Sequence, residues 1–176
     1  MKISTIVLSL GMLAMTLSHE PTDAAEIHVP AGKQTSLGLY ITAEHAHRAM
    51  QKDSGLKLVD VRTPEEFGQI GHAVGSWHVP LSQSPSEFVG RFQQVAGPEE
   101  TVLVICRSGN RSAVAVEMLA RTGYKNAYSV VDGFEGDRES DSSSPNYGRR
   151  AVNGWKNAGL KWTTEVDPNK VVAPAS

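Results

Sequence analysis

The sequence predicts an α/β fold: a central, mainly parallel sheet of five strands with helices on both faces. Three observations carry that prediction. Residues 101–105, Thr-Val-Leu-Val-Ile, form an unbroken β-branched and aliphatic run, which suits a strand buried on both faces. Similar runs flank it at 56–61 and 126–131. Helical periodicity fills the gaps, so strand and helix alternate along the chain.

In order, a short strand at 39–41 precedes a helix over 43–52, where Ala46, Ala49 and Met50 share one face. After the strand at 56–61, Thr63-Pro64-Glu65-Glu66 reads as an N-cap, a proline at the first helical position and a capping-box glutamate, so a helical turn spans 64–67. A strand at 76–79 and a helix over 85–95 lead to the central run. The helix that follows, 112–122, stops at Gly123, placed as a left-handed C-cap. The segment 137–153 is polar and aperiodic and reads as a long surface loop. The organisation is therefore one domain over 37–166 with an insertion at 137–154. It lies between a flexible N-terminal segment, 26–36, and a loosely held tail, 167–176.

Residues 1–25 have the layout of a secretory signal peptide: Lys2, an apolar run to Leu17, then small residues ending at Ala24-Ala25. The apolar run is shorter than the roughly 20 residues of a spanning helix. The expected product is a periplasmic or secreted protein with no membrane attachment after cleavage. Its formal charge, −2 for the whole chain, becomes −1 once Lys2, Glu20 and Asp23 are removed, which gives no electrostatic case for nucleic-acid binding. The chain has 1 cysteine, Cys106, so no disulfide can form within it in a compartment that favours them. That thiol is either buried and inert or kept free for chemistry.

The surroundings of Cys106 point to chemistry. It directly follows the central strand, and in open α/β sheets ligands gather at the carboxyl ends of the strands. The residues after it, Arg107-Ser108-Gly109-Asn110-Arg111, supply backbone N–H groups that can curl into an anion cradle, with Gly109 free to take a positive φ. The N-terminus of the next helix, Arg107 and Arg111 all favour the thiolate, which is the nucleophilic form.

The loop 106–111 with its continuation Ser112-Ala113 resembles the rhodanese-like domains. So do Asp60-Val61-Arg62, Glu66-Phe67, Gly71-His72-Ala73-Val74-Gly75-Ser76, and the closing Trp155 to Leu160. The resemblance implies a sulfurtransferase in which Cys106 takes the sulfane sulfur of a small anionic donor such as thiosulfate. It holds that sulfur as a persulfide and passes it to cyanide or a thiol. It implies that residues 107–111 cradle the persulfide, that Arg107 and Arg111 orient the donor, and that no metal or organic cofactor takes part. Dual-specificity phosphatases with a similar nucleophile loop place five residues between cysteine and arginine. Here there are 4, a tighter ring that suits one sulfur better than a phosphate. Two further readings are a persulfide relay to an exported protein partner, using the same cysteine, and a non-catalytic binding module. The intact trio Cys106, Gly109 and Arg111 argues against the module.

Other polar residues carry less. Asp60 and Arg62 lie near a strand end and are assigned a supporting role, with structure the stronger account for Arg62 and Glu66. His72 and His78 read as structural, since the transfer needs no proton shuttle. His45 and His47 are two apart, on different faces of a helix, and make no metal pair. The insertion is longer than the resemblance leads one to expect. It is expected beside Cys106, with Arg149 and Arg150 as candidates for steering anions. With no exposed apolar stripe, the domain is expected to be a monomer.

Overall fold

The computed structural model describes residues 27–172, so the leader-like segment 1–25 falls outside the described residues. Five strands form the main sheet: β1 (Tyr40–Ile41), β2 (Lys57–Asp60), β4 (Trp77–His78), β5 (Val102–Ile105) and β6 (Ala127–Val130). Their order is β1-β6-β5-β2-β4, and every pairing is parallel. The five-stranded parallel sheet is thus present with each expected strand in it, and the 101–105 run is its central member. Two further strands not expected from the sequence, β3 (His72–Ala73) and β9 (Trp162–Thr163), pair antiparallel beside it.

All four residues of β5 are buried, and their alternation divides the interior into two cores. Val102, Val104 and then Cys106 face α2 (Pro85–Phe92) and α3 (Asn110–Ala120), packing with Phe88, Phe92, Val116 and Leu119. Leu103 and Ile105 point the other way, toward Ala43 and Ala46 of α1 (Ala43–Lys52), Phe134 and Trp155. Cys106 therefore continues the period of the strand and stays on the α3 side. Gly123, with φ 96°, closes the turn after α3 as expected.

The two ends of the chain depart from expectation. The N-terminal segment, expected to be flexible, docks through a short 3-10 turn, Ala31–Lys33. The Lys33 Nζ donates to the carbonyl of Val131 and to Asp137, both at 2.9 Å. A buried ammonium needs such partners, and they hold the segment in place. At the other end, a 3-10 turn, Pro168–Lys170, leads to Val171, which bridges His78 on the edge strand β4, and the Val172 N–H donates to the His78 carbonyl at 2.9 Å. The insertion is likewise more than a loop. Its stem is an antiparallel pair, β7 (Asp137–Arg138) with β8 (Arg150–Val152). Gly136 and Gly154 cross at its neck so closely that a Cβ on Gly136 would meet the Val152 carbonyl oxygen at 2.2 Å and one on Gly154 the Gly136 nitrogen at 2.4 Å.

At the carboxyl end of β2 lies a fully buried ion pair. Arg62, 0% exposed, binds Asp60 through Nε at 3.0 Å and Nη2 at 2.7 Å, and Nη2 also donates to the Gly71 carbonyl at 2.6 Å. Its guanidinium lies 4.2 Å over the Phe134 ring. Removing one member of such a pair leaves an uncompensated charge in a dry interior. Arg62→Leu is expected to lower the free energy of unfolding by about 3–5 kcal/mol, read from urea titration of the purified protein.

Candidate active site

The loop after β5 takes its shape from Gly109. At φ 95° this residue sits left-handed as the N-cap of α3, with its backbone against Val131: an added Cβ would lie 2.1 Å from the Val131 carbonyl oxygen. The curl aims the Gly109 N–H at the Cys106 Sγ, 3.2 Å away. The thiol in turn donates to the Ser112 hydroxyl at 3.7 Å. Ser112 is fully buried and donates to the Gly109 carbonyl at 2.8 Å, while its oxygen and that of Ser129 lie 3.0 Å apart. The first intrahelical bond of α3 is Ala113 N–H to the Gly109 carbonyl, 3.1 Å, so the N–H groups of Asn110, Arg111 and Ser112 precede it and have no partner within the helix.

A second strap holds the loop from outside. The Phe134 N–H donates to the Cys106 carbonyl at 2.8 Å and the Glu135 N–H to the Arg107 carbonyl at 2.9 Å. Trp155 and Lys156 donate in turn to the carbonyls of Gly133 and Phe134, both at 2.9 Å. The close approach requires glycine at 133, where a Cβ would meet the Arg107 carbonyl carbon at 2.6 Å. Asp132 ties this strap to α1 and to the end of the insertion, accepting from Ala43 N–H at 2.8 Å and Gly154 N–H at 3.1 Å. Burial pushes its carboxyl above the usual range despite these donors.

The predicted loop residues divide by environment. Cys106 is 1% exposed, Ser108 and Gly109 are buried, Arg107 and Asn110 are exposed, and Arg111 is half-buried. The two arginines expected to orient a donor are not equivalent. Arg111 is committed to Glu66 in a bidentate pair, Nη1 to Oε2 and Nη2 to Oε1, both 2.6 Å. Arg107 has no carboxylate partner among the described residues. Glu66 also completes the capping box foreseen in the sequence: its Oε2 accepts from Thr63 N–H at 3.1 Å, and its own N–H donates to Thr63 Oγ1 at 3.2 Å. The segment it opens, Glu66–Ile70, is a wide π turn.

Asp60 and Arg62 are committed to their own buried pair and to the Gly71 carbonyl. His72 and His78 stack on either face of Phe67, at centroid distances of 3.6 and 4.2 Å, with ring nitrogens on the Phe67 and Arg62 carbonyls. Burial holds the His78 ring below its ordinary range. His45 hydrogen-bonds Thr42 and His47 meets the edge of Trp155. Sequence reasoning missed Lys33, Ser129 and the Glu66–Arg111 tie. Only Glu66 carried a local signal, and its capping role had already accounted for it.

This cysteine cradle at the carboxyl end of the central strand matches a known architecture. The family model for the rhodanese-like domain matches residues 42–139. The chain belongs to the rhodanese-like family. An uncharacterised protein of Rickettsia prowazekii is 31% identical over 128 residues, spanning 69% of this chain and 94% of that one. Among solved structures, this rhodanese-like chain is similar to an M. tuberculosis protein at 29% identity and a TM-score of 0.59, covering 71% of this chain and 96% of that one. The thiosulfate sulfurtransferase of Pseudomonas aeruginosa shares the fold at 20% identity and a TM-score of 0.52, over 78% of this chain and 22% of that one. In the rhodanese-like frame, Glu66 is the residue whose titration bears most directly on the loop. Burial acts to raise its carboxyl, but the hydrogen bonds from Arg111 and Thr63 N–H outweigh it and hold the group at about 2.

A carboxyl depressed from 4.5 to about 2 stabilises the fold fully above its unfolded value and loses that contribution as pH falls through the folded one. Glu66→Gln is therefore expected to lower stability at pH 7 by about 1–3 kcal/mol, allowing for partial exposure. It should also flatten the wild-type loss of stability between pH 4.5 and 2, measured by denaturant titration across that window.

Proposed function

We propose that this protein is a sulfurtransferase that moves a sulfane sulfur from thiosulfate or a similar small anionic donor to a thiophilic acceptor through a persulfide on Cys106. The observation that carries the reading is the bond from Gly109 N–H to the buried Cys106 Sγ at the start of α3. The Cys106 thiolate attacks the outer sulfur of thiosulfate. A new S–S bond forms, the donor's own S–S bond breaks, and its electron pair leaves on sulfite. In this reading the Gly109 N–H and the free N–H groups of the first turn of α3 stabilise the negative persulfide. Cyanide or a thiol then takes the outer sulfur and returns the thiolate, a ping-pong sequence.

Arg107, exposed at the mouth, is the arginine we assign to the donor's sulfonate. Arg111, tied to Glu66, braces the loop and adds positive potential without being free to move. Incubating the protein with thiosulfate is expected to add the mass of one sulfur atom, and the addition should vanish in Cys106→Ser. Absence of the adduct with every sulfane donor tried would refute the transfer. Loading without turnover to cyanide would instead support delivery to a dedicated protein acceptor.

The leader-like residues 1–25 support a further proposal, that the enzyme works in the periplasm or outside the cell. Protein recovered from the periplasmic or extracellular fraction should have its N-terminus close to residue 25. A full-length chain retained in the cytoplasm would overturn that placement.

A further inference from the structure

Two serine hydroxyls lie in series beside Cys106, where α3 packs on β6. Ser112, in the first turn of α3, and Ser129, within β6, are both 0% exposed. A buried hydroxyl has one proton to place and is costly to leave unpaired. The Ser112 proton goes to the Gly109 carbonyl at 2.8 Å, with the Val130 carbonyl at the edge of its reach, 3.5 Å. Among the described residues the Ser129 oxygen bonds to Ser112 alone, at 3.0 Å, so Ser129 is the donor of that pair. The Ser112 oxygen therefore accepts twice, from Ser129 and from the Cys106 thiol at 3.7 Å.

Loss of the thiol proton changes what Ser112 has to do. The sulfur stops donating and, as an anion, needs donors of its own, of which Gly109 N–H at 3.2 Å is one. Rotation about the Ser112 Cβ–Oγ bond carries its proton from the Gly109 carbonyl to Sγ. That carbonyl keeps a donor, because Ala113 N–H reaches it at 3.1 Å. The Ser112 oxygen keeps one as well, from Ser129. Without the Ser129 hydroxyl, the thiol state would still satisfy Ser112 through the S–H, whereas the thiolate state would leave a buried oxygen with no donor. The cost of losing Ser129 therefore falls on the ionised form alone.

We infer that Ser112 is a second hydrogen-bond donor to the anionic Cys106 sulfur and that Ser129 is the positioning residue that frees it to donate. The place of this pair in turnover rests on the sulfurtransferase reading, and it extends the machinery beyond the six-residue loop to β6. The pair acts twice in each cycle. During loading it stabilises the thiolate that attacks the donor. During discharge, the carbon of cyanide attacks the outer sulfur, a C–S bond forms, the S–S bond to Cys106 breaks, and its electron pair returns to Sγ. Ser112 meets the charge as it arrives there, and a stabilised thiolate leaves more readily.

Alkylation of Cys106 by iodoacetamide, followed against pH, reads the thiolate with no sulfur donor present. Ser129→Ala is expected to move the ascending limb of that profile up by about one pH unit, a tenfold loss of thiolate on the limb, and to leave the plateau rate unchanged. Ser112→Ala should displace the limb by itself, and adding Ser129→Ala to it should move the limb no further, since Ser129 acts through Ser112. The limb of kcat/KM for thiosulfate should follow the alkylation profile. Equal displacement by Ser129→Ala with and without Ser112, or none in either, overturns the pair. So does a lowered plateau with the limb in place, the mark of a purely packing role. A wild type that gives the expected alkylation series but takes up no sulfur from any sulfane donor overturns the sulfurtransferase reading and leaves the hydroxyl pair standing.

Discussion

The close approach of the Gly109 backbone to the Val131 carbonyl governs the cysteine loop. It forces the loop after β5 into a left-handed turn, and that turn delivers an N–H to the cysteine sulfur and starts α3 in one step. The Lys33 ammonium donates to the same Val131 carbonyl, and its side chain lies against Gly109 as well. The segment before the domain, the strand β6 and the cysteine loop thus meet at a single oxygen atom. A side chain at 109 would have to displace backbone, which is far less compliant than the tip of a flexible side chain.

Charge is sorted around that point with little overlap. Arg62 is spent on Asp60, Arg111 on Glu66, and Lys33 on Asp137. Each of these cations is partly or wholly buried and braces backbone near the loop. Arg107, with no carboxylate partner among the described residues, is exposed. Paired charges therefore brace the cradle, while Arg107 keeps its charge in solvent.

What could be read from the sequence was what lies contiguous in it. The β5 run, the capping box at Thr63 and Glu66, and the six-residue loop all express short-range rules, and the parallel sheet follows from their alternation. What could not be read depends on residues far apart. Lys33 and Val131 are 98 positions apart and Glu66 and Arg111 are 45 apart, and no periodicity links them. Lysine in a segment of glycine, glutamine and threonine looks like a solvated end until the carbonyl that receives it is known. The insertion misled for a related reason. Its strands are 2 and 3 residues long, below the length at which alternation is detectable, and its neck depends on two glycines 18 positions apart that meet only in three dimensions.

The docked C-terminal residues have a consequence for how the sheet meets other molecules. A parallel sheet ends in two rows of open backbone groups, and such edges recruit strands from neighbouring chains. At the β4 side, Val171 and Val172 occupy the His78 carbonyl that a foreign strand would need. At the β1 side the strand is only 2 residues long and gives little to template on. Covering one edge while shortening the other removes templates for unwanted strand pairing without adding a single residue to the core.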